Sequence, residues 1–396
     1  MDELQARKRT IYIITGGIII AVIIGFLLYR SLAPSAPTAP AERDGIRGRI
    51  PGLPGITPGA PVPEEEQPIG EAPPAGETAT LLQLTDFPVL SPSLNKTEDR
   101  ILFYKKDGGN LFSYDFDGAI KEKISNITIV GMIEAVWSPA RDRAIVRYLD
   151  NETLKGFLHI GTSSVSVFPQ DIRSVSWSPD GKGLAYVIPA GGSLDIVIAD
   201  QNGRGTRTAL SLPFLEARMY WPSIKTIAFA TPPSGAAEGY VFTYDLKTGA
   251  LSKIAGPLFG LEALWSGDGA KVLLSFTNTR GTEPTLEVRD KDGVPLFKIG
   301  FSTLADKCAW SDSQEIFCAV PDGLPARGIL PDMFLSGELD TSDTIYRFNL
   351  PRAEPSEMLI KNFDVVDLVI SKNKKYLFFV DRRDGTLWRA RLPQSP

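Results

Sequence analysis

The sequence is poor in the residues that most enzyme and metal sites use. Its 396 residues include one histidine, His159, and two cysteines, Cys308 and Cys318. With a single histidine, the sequence lacks the residues for the usual histidine general base and for most zinc sites. Two cysteines and one distant histidine also cannot form a metal site. No G-x-S-x-G nucleophile elbow occurs either. We therefore expect no catalytic residue, no metal and no cofactor, and we expect His159 to be a strand residue that is either packed or half exposed.

The chain also lacks a concentrated basic face. Lysine and arginine total 42 against 47 aspartates and glutamates, which gives a net charge of -5 and argues against a general nucleic-acid binder. Acidic turns recur at 115–118, 200–203 and 290–293. None is followed by the carboxylate that an EF-hand loop needs at its twelfth position, so we interpret them as hairpin turns rather than calcium sites.

The N-terminal region divides into three zones. Residues 11–29 are nineteen uncharged, mostly apolar positions, and a helix of that length spans about 28 Å, close to a bilayer core of about 30 Å. We predict a transmembrane helix over 11–30 after a short cytoplasmic tail, 1–10, although a cleaved signal peptide stays open. The basic cluster at 7–9 favours a cytoplasmic N-terminus. The Pro/Gly-rich segment 31–77 predicts a disordered tether.

A repeat dominates the rest of the chain. Its signature is a strand-like run, a turn and a second strand-like run, as in "VSWSPDGKGLAYV" (175–187). The tryptophans of five copies are spaced by 40, 44, 44 and 45 residues, and copies without the tryptophan lie at 88–104 and 368–380; the tryptophans are Trp137, Trp177, Trp221, Trp265 and Trp310. Each unit continues with a third strand, an Asp/Gly-rich turn and a fourth. The pattern predicts an all-β chain, a seven-bladed β-propeller of four-stranded antiparallel blades over 78–396.

The repeat resembles a known one. "WSPDGKGLAYV" followed by "IVIAD" (196–200) is similar to the TolB-type, WD-like propeller repeat, over roughly residues 80–396. The resemblance implies a bacterial cell-envelope propeller with a protein-binding role, and it carries over no catalytic residue.

The two ends of the repeat region are expected to meet. The last unit shows only three strand-like runs, whereas "TATLLQLTD" (78–86) is strand-like and has no partner in the first unit. We predict that 78–86 closes the seventh blade beside 386–392, because an open ring would leave two unpaired sheet edges.

The two cysteines flank one predicted hairpin turn. Cys308 and Cys318 are either buried thiols that serve as small hydrophobes or the two halves of a cross-strand disulfide, which requires a location outside the cytoplasm. The spacing does not choose between these alternatives.

One long loop stands out as a candidate binding site. Residues 321–343 lie between two strands of the sixth unit and carry apolar residues where a rim should be solvated: Leu324, Ile329, Leu330, Met333, Phe334 and Leu335. Exposing each large one forgoes about 1.5–3 kcal/mol of burial free energy. The loop therefore either docks a partner or folds back, as a short helix begun at Pro331, to cap the propeller's own channel.

These features predict a membrane-tethered, extracytoplasmic, non-catalytic protein-binding scaffold of the bacterial envelope. The expected partner is another envelope protein, with no nucleic acid and no small-molecule ligand. The alternative is a sensor of a small ligand or cell-wall polymer, or a hydrolase-like enzyme, that uses the propeller channel. Glu134, Arg173 and Glu262 on the first strands are scattered channel candidates for that alternative.

Overall fold

Antiparallel strands form most of the regular structure in the computed structural model, which describes residues 81–169, 171–352 and 354–392. The all-β prediction is confirmed for this part of the chain. The predicted tail, transmembrane helix and linker, residues 1–77, lie outside the described residues. Among the described helices, none combines the length and the apolar character that a membrane span requires.

The first three four-stranded sheets follow one another in the chain, after β1 (Leu81–Gln83). The first sheet contains β2 Val89–Leu94, β3 Arg100–Lys105, β4 Leu111–Asp115 and β5 Lys121–Lys123. The second contains β6 Met132–Trp137, β7 Arg143–Asp150, β8 Thr153–Ile160 and β9 Ser163–Val167. The third contains β10 Ser174–Trp177, β11 Gly183–Ala190, β12 Ser193–Asp200 and β13 Arg207–Leu212.

A longer sheet follows, in which one strand serves two sets of four. This long sheet contains β14 Arg218–Ser223, β15 Thr226–Ala230, β16 Glu238–Asp245, β17 Leu251–Trp265, β18 Lys271–Thr277, β19 Thr285–Asp290 and β20 Pro295–Ile299. The 15-residue strand β17 pairs with β16 along its first part and with β18 along its second. The sequence predicts two separate strands here. Glycines 256 and 260 have φ of 103° and 61°, so the chain bends within one strand instead of leaving it.

The last two sheets bring the chain back to its beginning. One of them contains both cysteines, and we call it the disulfide sheet. It consists of β21 Cys308–Asp312, β22 Glu315–Pro321, β23 Asp343–Asn349 and β24 Glu354–Phe363. The closing sheet contains β25 Val365–Ile370, β26 Tyr376–Asp381, β27 Leu387–Arg391 and β1, in the order β1-β27-β26-β25. Leu82 stands opposite Arg389 in this pairing, which is the neighbour predicted for the segment. Short helical elements are α1 (Asp332–Leu335) and the 3-10 turns Ala305–Lys307 and Leu350–Arg352.

The repeated turn has the structure that its residues predict. Ser178 donates a hydrogen bond from its hydroxyl to Asp180 at 2.7 Å and accepts one from the Gly183 amide at 2.8 Å. Gly181 has a φ of 70°, a left-handed conformation that glycine adopts at little cost. The turn therefore closes the hairpin β10–β11 with its polar groups satisfied, as a scaffold feature.

Sheets pack face to face, and the tryptophans link them. Ile145 and Leu158 of the second sheet share a buried cluster with Val175 and Leu184 of the third. The indole N–H of Trp177 donates to the carbonyl of Val136 in the preceding sheet at 2.9 Å. Trp137 and Trp310 make the equivalent bonds to Ser91 and Leu264. The first strands therefore contact one another in succession, with β2 against β6 and β25, β6 against β10, and β10 against β14.

Candidate functional site

The long loop of the disulfide sheet lies across one rim of the protein. We call residues 322–342, between β22 and β23, the strap. Its helix α1 begins at Asp332, after Pro331. The Asp332 carboxylate accepts hydrogen bonds from the Ser234 hydroxyl at 2.8 Å and the Gly235 amide at 2.7 Å. The strap is therefore fastened to the loop between β15 and β16, in a different sheet from its own.

The other end of α1 rests on two cations. The ring of Phe334 lies 4.5 Å from the Lys307 ammonium nitrogen and 4.5 Å from the Arg382 guanidinium carbon. Arg382, from the closing sheet, also pairs with Asp340 at 3.1 Å and Asp364 at 2.7 Å. Cations over an aromatic face attract its electron density. These contacts hold α1 between the closing sheet and the long sheet.

A buried ionic group lies beneath Phe334. Lys307 is 1% exposed and places its ammonium 2.8 Å from Asp343 and 2.9 Å from Asp364, with the Thr341 hydroxyl at 3.0 Å. Burial raises the pKa of Asp343 although Lys307 opposes it. Burial works in the same direction on Asp364, but hydrogen bonds from Arg382 and the charge of Lys307 outweigh it and lower the pKa of Asp364. The ionic group therefore secures the C-terminal end of the strap, at Thr341 and Asp343, beneath Phe334.

The six apolar residues predicted on this loop divide into two groups. Leu330 and Phe334 are 1% and 6% exposed, because the chain's own sheets cover them. Leu324 and Met333 are half-buried. Ile329 and Leu335 are 42% and 45% exposed. The contacts agree with the self-capping alternative for the buried pair, and Ile329 and Leu335 are the ones that present apolar surface to solvent.

A cleft of about 390 Å³ opens beside Leu335. It combines apolar walls with charged groups from the second, third and long sheets, and its lining is Arg147, Leu154, Arg173, Glu216, Ala217, Arg218, Pro232, Pro233 and Leu335. Arg173 lies 4.0 Å from Glu216, and Arg147 pairs with Glu134. The cleft therefore offers arginine donors next to apolar side chains.

The two cysteines form a disulfide. Cys308 stands directly opposite Cys318 in the β21–β22 hairpin, and their sulfurs are bonded. Of the two alternatives left by the sequence, the structure has the cross-strand bridge.

A second set of polar side chains lies along the first strands. They occupy the position three residues before each tryptophan, or its equivalent in the first and closing sheets: Ser91, Glu134, Ser174, Arg218, Glu262, Lys307 and Asp367. The Ser91 and Ser174 hydroxyls accept hydrogen bonds from backbone amides of the next sheet, at 2.8 and 3.0 Å. These two serines therefore link neighbouring sheets. Lys307 points into the ionic group under the strap. The other four are charged.

We call these four charged residues and Asp306 the axial cluster. Asp306 interacts electrostatically with Arg218, Glu262 and Asp367. Asp367 also interacts with Glu134, so the five residues lie near one another. Arg218 of the long sheet pairs with Asp306, in the 3-10 turn before β21, at 3.2 Å. The side chains of Arg218, Asp306 and Glu134 are 34%, 39% and 40% exposed. Solvent therefore reaches these three side chains, and Arg218 lines the cleft beside Leu335.

Glu262 is the most unusual member of the axial cluster. It is 1% exposed; its Oε2 accepts a hydrogen bond from Ser275 at 3.0 Å, while Oε1 has no hydrogen-bond partner among the described residues. Burial, reinforced by the charge of Asp306 and opposed by Arg218, raises the pKa of Glu262 to about 8. At neutral pH this carboxyl group is therefore protonated, and it can donate a hydrogen bond.

Asp367 is the second unusual acid. Solvent reaches it, yet protein surrounds it. This desolvation, together with the charges of Asp306 and Glu134, raises the pKa of Asp367 to about 6. Its φ of 52° lies in the left-handed region, which is uncommon for a non-glycine residue and recurs at functional sites. The axial cluster therefore contains two carboxyl groups whose pKa values are raised to different extents.

Sequence reasoning named Glu134, Arg173 and Glu262 as scattered residues, and the structure brings Glu134 and Glu262 into one cluster with Arg218, Asp306 and Asp367. Arg173 lies in the cleft beside Leu335, which Arg218 of the cluster also lines. The signal that could have found the cluster is the charged residue three positions before the repeat tryptophan. His159 takes no part, since it is buried with its Nδ1 2.7 Å from the Tyr104 hydroxyl. No three His, Cys, Asp or Glu side chains of the described residues are placed to hold a metal ion.

Comparison with known proteins gives structural neighbours only. No known protein family and no curated protein matches the sequence. Two structures of oligogalacturonate lyase, one with manganese and one from Vibrio parahaemolyticus, are 12% and 11% identical. Each aligns with 79% of this chain and with 93% and 94% of its own, at a TM-score of 0.57. The chain has the β-propeller fold. TolB from Acinetobacter baumannii, also a propeller, is 14% identical over 78% of this chain and 64% of its own, at a TM-score of 0.43.

These neighbours correct one prediction. The sequence analysis predicts a chain that is not an enzyme, and this is wrong as an inference from the propeller, because oligogalacturonate lyase is an enzyme with the same fold. Identities this low describe the fold alone. Catalysis is therefore open for this chain.

Proposed function

We propose that this chain is a seven-bladed propeller that binds an envelope protein on the rim crossed by the strap. The count of seven takes β17 as the last strand of one blade and the first of the next. In this proposal residues 11–30 anchor the chain in the plasma membrane, 31–77 form the tether, and the propeller lies outside the cytoplasm. The disulfide supports this placement, since such bonds persist mainly in oxidising compartments.

The cleft beside Leu335 is the observation that carries the proposal. Arginine and apolar side chains are enriched where proteins bind one another, especially around a pocket that accepts an anchor residue. Arg147, Arg173 and Leu335 meet in this cleft. An apolar side chain of the partner would contact the apolar lining of the cleft, and a neighbouring carboxylate of the partner would pair with its arginines.

The surrounding rim supports the same site. Loops between second and third strands and connections between sheets share this rim, and several of them carry large apolar side chains that solvent reaches. Beyond the strap these are Val130, Leu149, Val167 and Leu215, at 78%, 48%, 80% and 73% exposed. Leu215 precedes Glu216 of the cleft. Apolar side chains gathered near a pocket are typical of an interaction site.

The proposal can be tested by photo-crosslinking in the native host. A photoreactive amino acid is placed at Leu335 of the full chain and, as a matched control, at Ile224, which is 55% exposed on a turn of the opposite rim. We expect one discrete protein adduct from position 335 and none from 224. The identified protein is then purified and its affinity measured against wild type, Leu335→Ser, Arg173→Glu and Ile224→Ser.

The first two substitutions should weaken binding by about tenfold or more, because anchor residues at pocket sites dominate affinity. Ile224→Ser should bind like wild type. Equal affinity of all four proteins, or adducts of the same protein from both positions, would rule out the strap rim as the docking surface.

A further inference from the structure

A second cleft opens at the turns that join first to second and third to fourth strands of the long sheet. It has a volume of about 470 Å³ and is lined from both halves of that sheet, β14 to the start of β17 and the end of β17 to β20. Four hydroxyl side chains and one indole form much of its wall: Ser223, Thr226, Thr243, Ser252 and Trp265. We call it the hydroxyl cleft. It shares no lining residue with the cleft beside Leu335.

The first half of the long sheet has small polar residues where the second half packs apolar ones. Val288 and its cross-strand neighbour Phe297 pack in a hydrophobic cluster. Thr243 and Ser252 take the same two register positions in the first half. A threonine and a serine together occupy less volume there, and their hydroxyl groups pack poorly against apolar side chains. The sequence of β16 and β17 therefore leaves a polar space between the two halves.

The hydrogen bond that links other sheets at this level is not made beside the cleft. The indole N–H groups of Trp137, Trp177 and Trp310 donate to the preceding sheet. Those of Trp221 and Trp265 make no hydrogen bond within the described part of the chain. Trp265 is partly exposed and lines the hydroxyl cleft. The two halves of the long sheet are therefore not joined through this indole, and the cleft lies where the link is absent.

The polar groups of the hydroxyl cleft are available to a ligand. Among the residues that the structure describes, none makes a hydrogen bond with the four hydroxyls, and none forms an ion pair with Lys225. Each hydroxyl can donate one hydrogen bond and accept two. The bordering charges cancel, because Lys225 and Lys291 are matched by Asp245 and Asp292. The cleft therefore suits an uncharged ligand that both donates and accepts hydrogen bonds.

We propose that the hydroxyl cleft binds an uncharged carbohydrate. A sugar ring has hydroxyl groups around its edge and C–H groups on its faces, which match the hydroxyls of the cleft and the apolar surface of Trp265. The volume lies within the range of about 300–1,000 Å³ for small-molecule sites, most of which have more apolar walls. The inference departs from the expectation that the chain has no small-molecule ligand. It needs nothing from the strap-rim proposal, since the two clefts are separate.

The test is saturation-transfer NMR on the full chain, in a detergent without sugar headgroups. The probes are glucose, galactose, mannose and N-acetylglucosamine, with glycerol as a polyol that lacks a ring and glucuronate as a charged sugar. We expect saturable binding of at least one neutral sugar, and none of glycerol. Glucuronate should bind no more tightly than that sugar. Failure of all four neutral sugars, equal binding of glycerol, or binding of glucuronate alone would overturn the proposal.

Variants assign the binding to the hydroxyl cleft. Thr243→Ile should abolish it, because the larger apolar side chain fills the space, and the third sheet already carries Ile198 at this register position. Lys225→Met should weaken it by about tenfold, the effect of losing a hydrogen bond from a charged donor. Lys182→Met is the matched control, since Lys182 is exposed on the corresponding turn of the third sheet, and it should bind like wild type.

Thermal unfolding checks that each variant is folded, and if Thr243→Ile does not fold, Lys225→Met decides. Wild-type affinity in the folded variants would show that the sugar binds elsewhere. Photo-crosslinking from position 335 should be unchanged in Thr243→Ile, so a failure of the carbohydrate site is distinguishable from a failure of the strap rim.

The sugar ring has two natural sources, a free sugar or one unit of a polysaccharide. A tetrasaccharide built from the sugar that binds provides the second source in the same measurement. If the tetrasaccharide binds about tenfold or more tightly than the single sugar, the polymer is the better ligand. If it does not, the free sugar is the better ligand. Both outcomes support the carbohydrate site, and failure of both probes removes it.

Discussion

At the scale of single residues, Lys307 shows how the repeat was adapted to hold the strap. Its position is equivalent to that of the axial-cluster residues Glu134, Arg218, Glu262 and Asp367 in other sheets. The Lys307 ammonium instead lies between Asp343 and Asp364 and under the ring of Phe334. Two buried carboxylates would repel one another without it. The lysine therefore joins the disulfide sheet, the closing sheet and the strap at one point.

Replacement of Lys307 by Met should cost about 3–5 kcal/mol of unfolding free energy, because removing one member of a buried ionic group leaves uncompensated charge. The measurement is urea unfolding at neutral pH. Lys291→Met is the control, since Lys291 is 65% exposed and should change stability by no more than about 0.5 kcal/mol. A loss below about 1 kcal/mol for Lys307→Met would mean that the carboxylates are solvated or protonated in the native protein.

His159 makes a different prediction, about acid. Burial lowers the pKa of His159 although a backbone hydrogen bond opposes this. His159 therefore stays neutral in the folded protein at pH values where the unfolded chain binds a proton, below about pH 6.5. Unfolding free energy should therefore fall as pH drops through about 6.5. The double variant Tyr104→Phe with His159→Leu replaces the hydrogen-bonded pair by apolar side chains and should lack this component. Urea unfolding between about pH 8 and pH 5.5 compares the two proteins, and parallel curves would contradict the assignment.

At the scale of elements, the strap depends on glycines that leave room for its backbone. A Cβ added to Gly235 would collide with the carbonyl oxygen of Leu330, and one added to Gly260 would come within 2.8 Å of the same atom. Gly235 has no unusual φ, so its requirement is for space alone. The loop between β15 and β16 and the strap are therefore fitted to one another.

Gly235→Ala should lift the strap without unfolding the sheets. We expect faster hydrogen exchange over 324–342 and a new protease cut there, with little change for the strands. Gly323→Ala is the matched control, because an added Cβ there meets nothing within 4 Å. Unchanged exchange in Gly235→Ala would show that the strap is not seated on this loop.

The closing strand is the second element that can be tested. The Leu84 amide donates to the Leu387 carbonyl at 2.8 Å, the Leu387 amide donates to the Thr85 hydroxyl at 2.9 Å, and Leu84 is 2% exposed. Leu84→Ala should lose about 2–5 kcal/mol in urea unfolding, whereas Gln83→Ala, at an exposed position, should lose little. A chain beginning at Pro88 should be less stable still or aggregate, because the edge of β27 is bare. Equal melting temperatures for chains beginning at Gly76 and Pro88 would contradict closure.

At the scale of the whole molecule, the repeat allowed the strands, the hairpin turns and the partner of β1 to be predicted, because each follows from local alternation and turn residues. The continuous β17 was missed, since the sequence does not reveal whether Gly256 and Gly260 bend a strand or end it. The axial cluster was missed for another reason. Glu134, Arg218, Glu262 and Asp367 are more than 40 residues apart along the chain, and only the register of the first strands brings them near one another.

The disulfide offers a test of where the molecule resides. If the anchor at 11–30 leaves the N-terminus in the cytoplasm, the propeller faces an oxidising environment and Cys308 and Cys318 stay bonded. Cells are quenched in acid and the denatured protein is treated with a heavy maleimide. We expect no added mass without reductant and two additions after reduction, since the chain has two cysteines. Cys308→Ser, which leaves one thiol, is the control and should be labelled without reductant.

Protease added to intact spheroplasts provides the second arm of this last prediction. An extracytoplasmic propeller should be cut or released from the membrane before lysis, and a cytoplasmic marker protein should survive. Cleavage is expected to begin in the proposed tether, residues 31–77, and at the exposed positions of the strap. Free thiols in wild-type protein together with full protection of residues 77–396 until lysis would place the propeller in the cytoplasm. That result would also remove the support that the disulfide gives to an envelope partner.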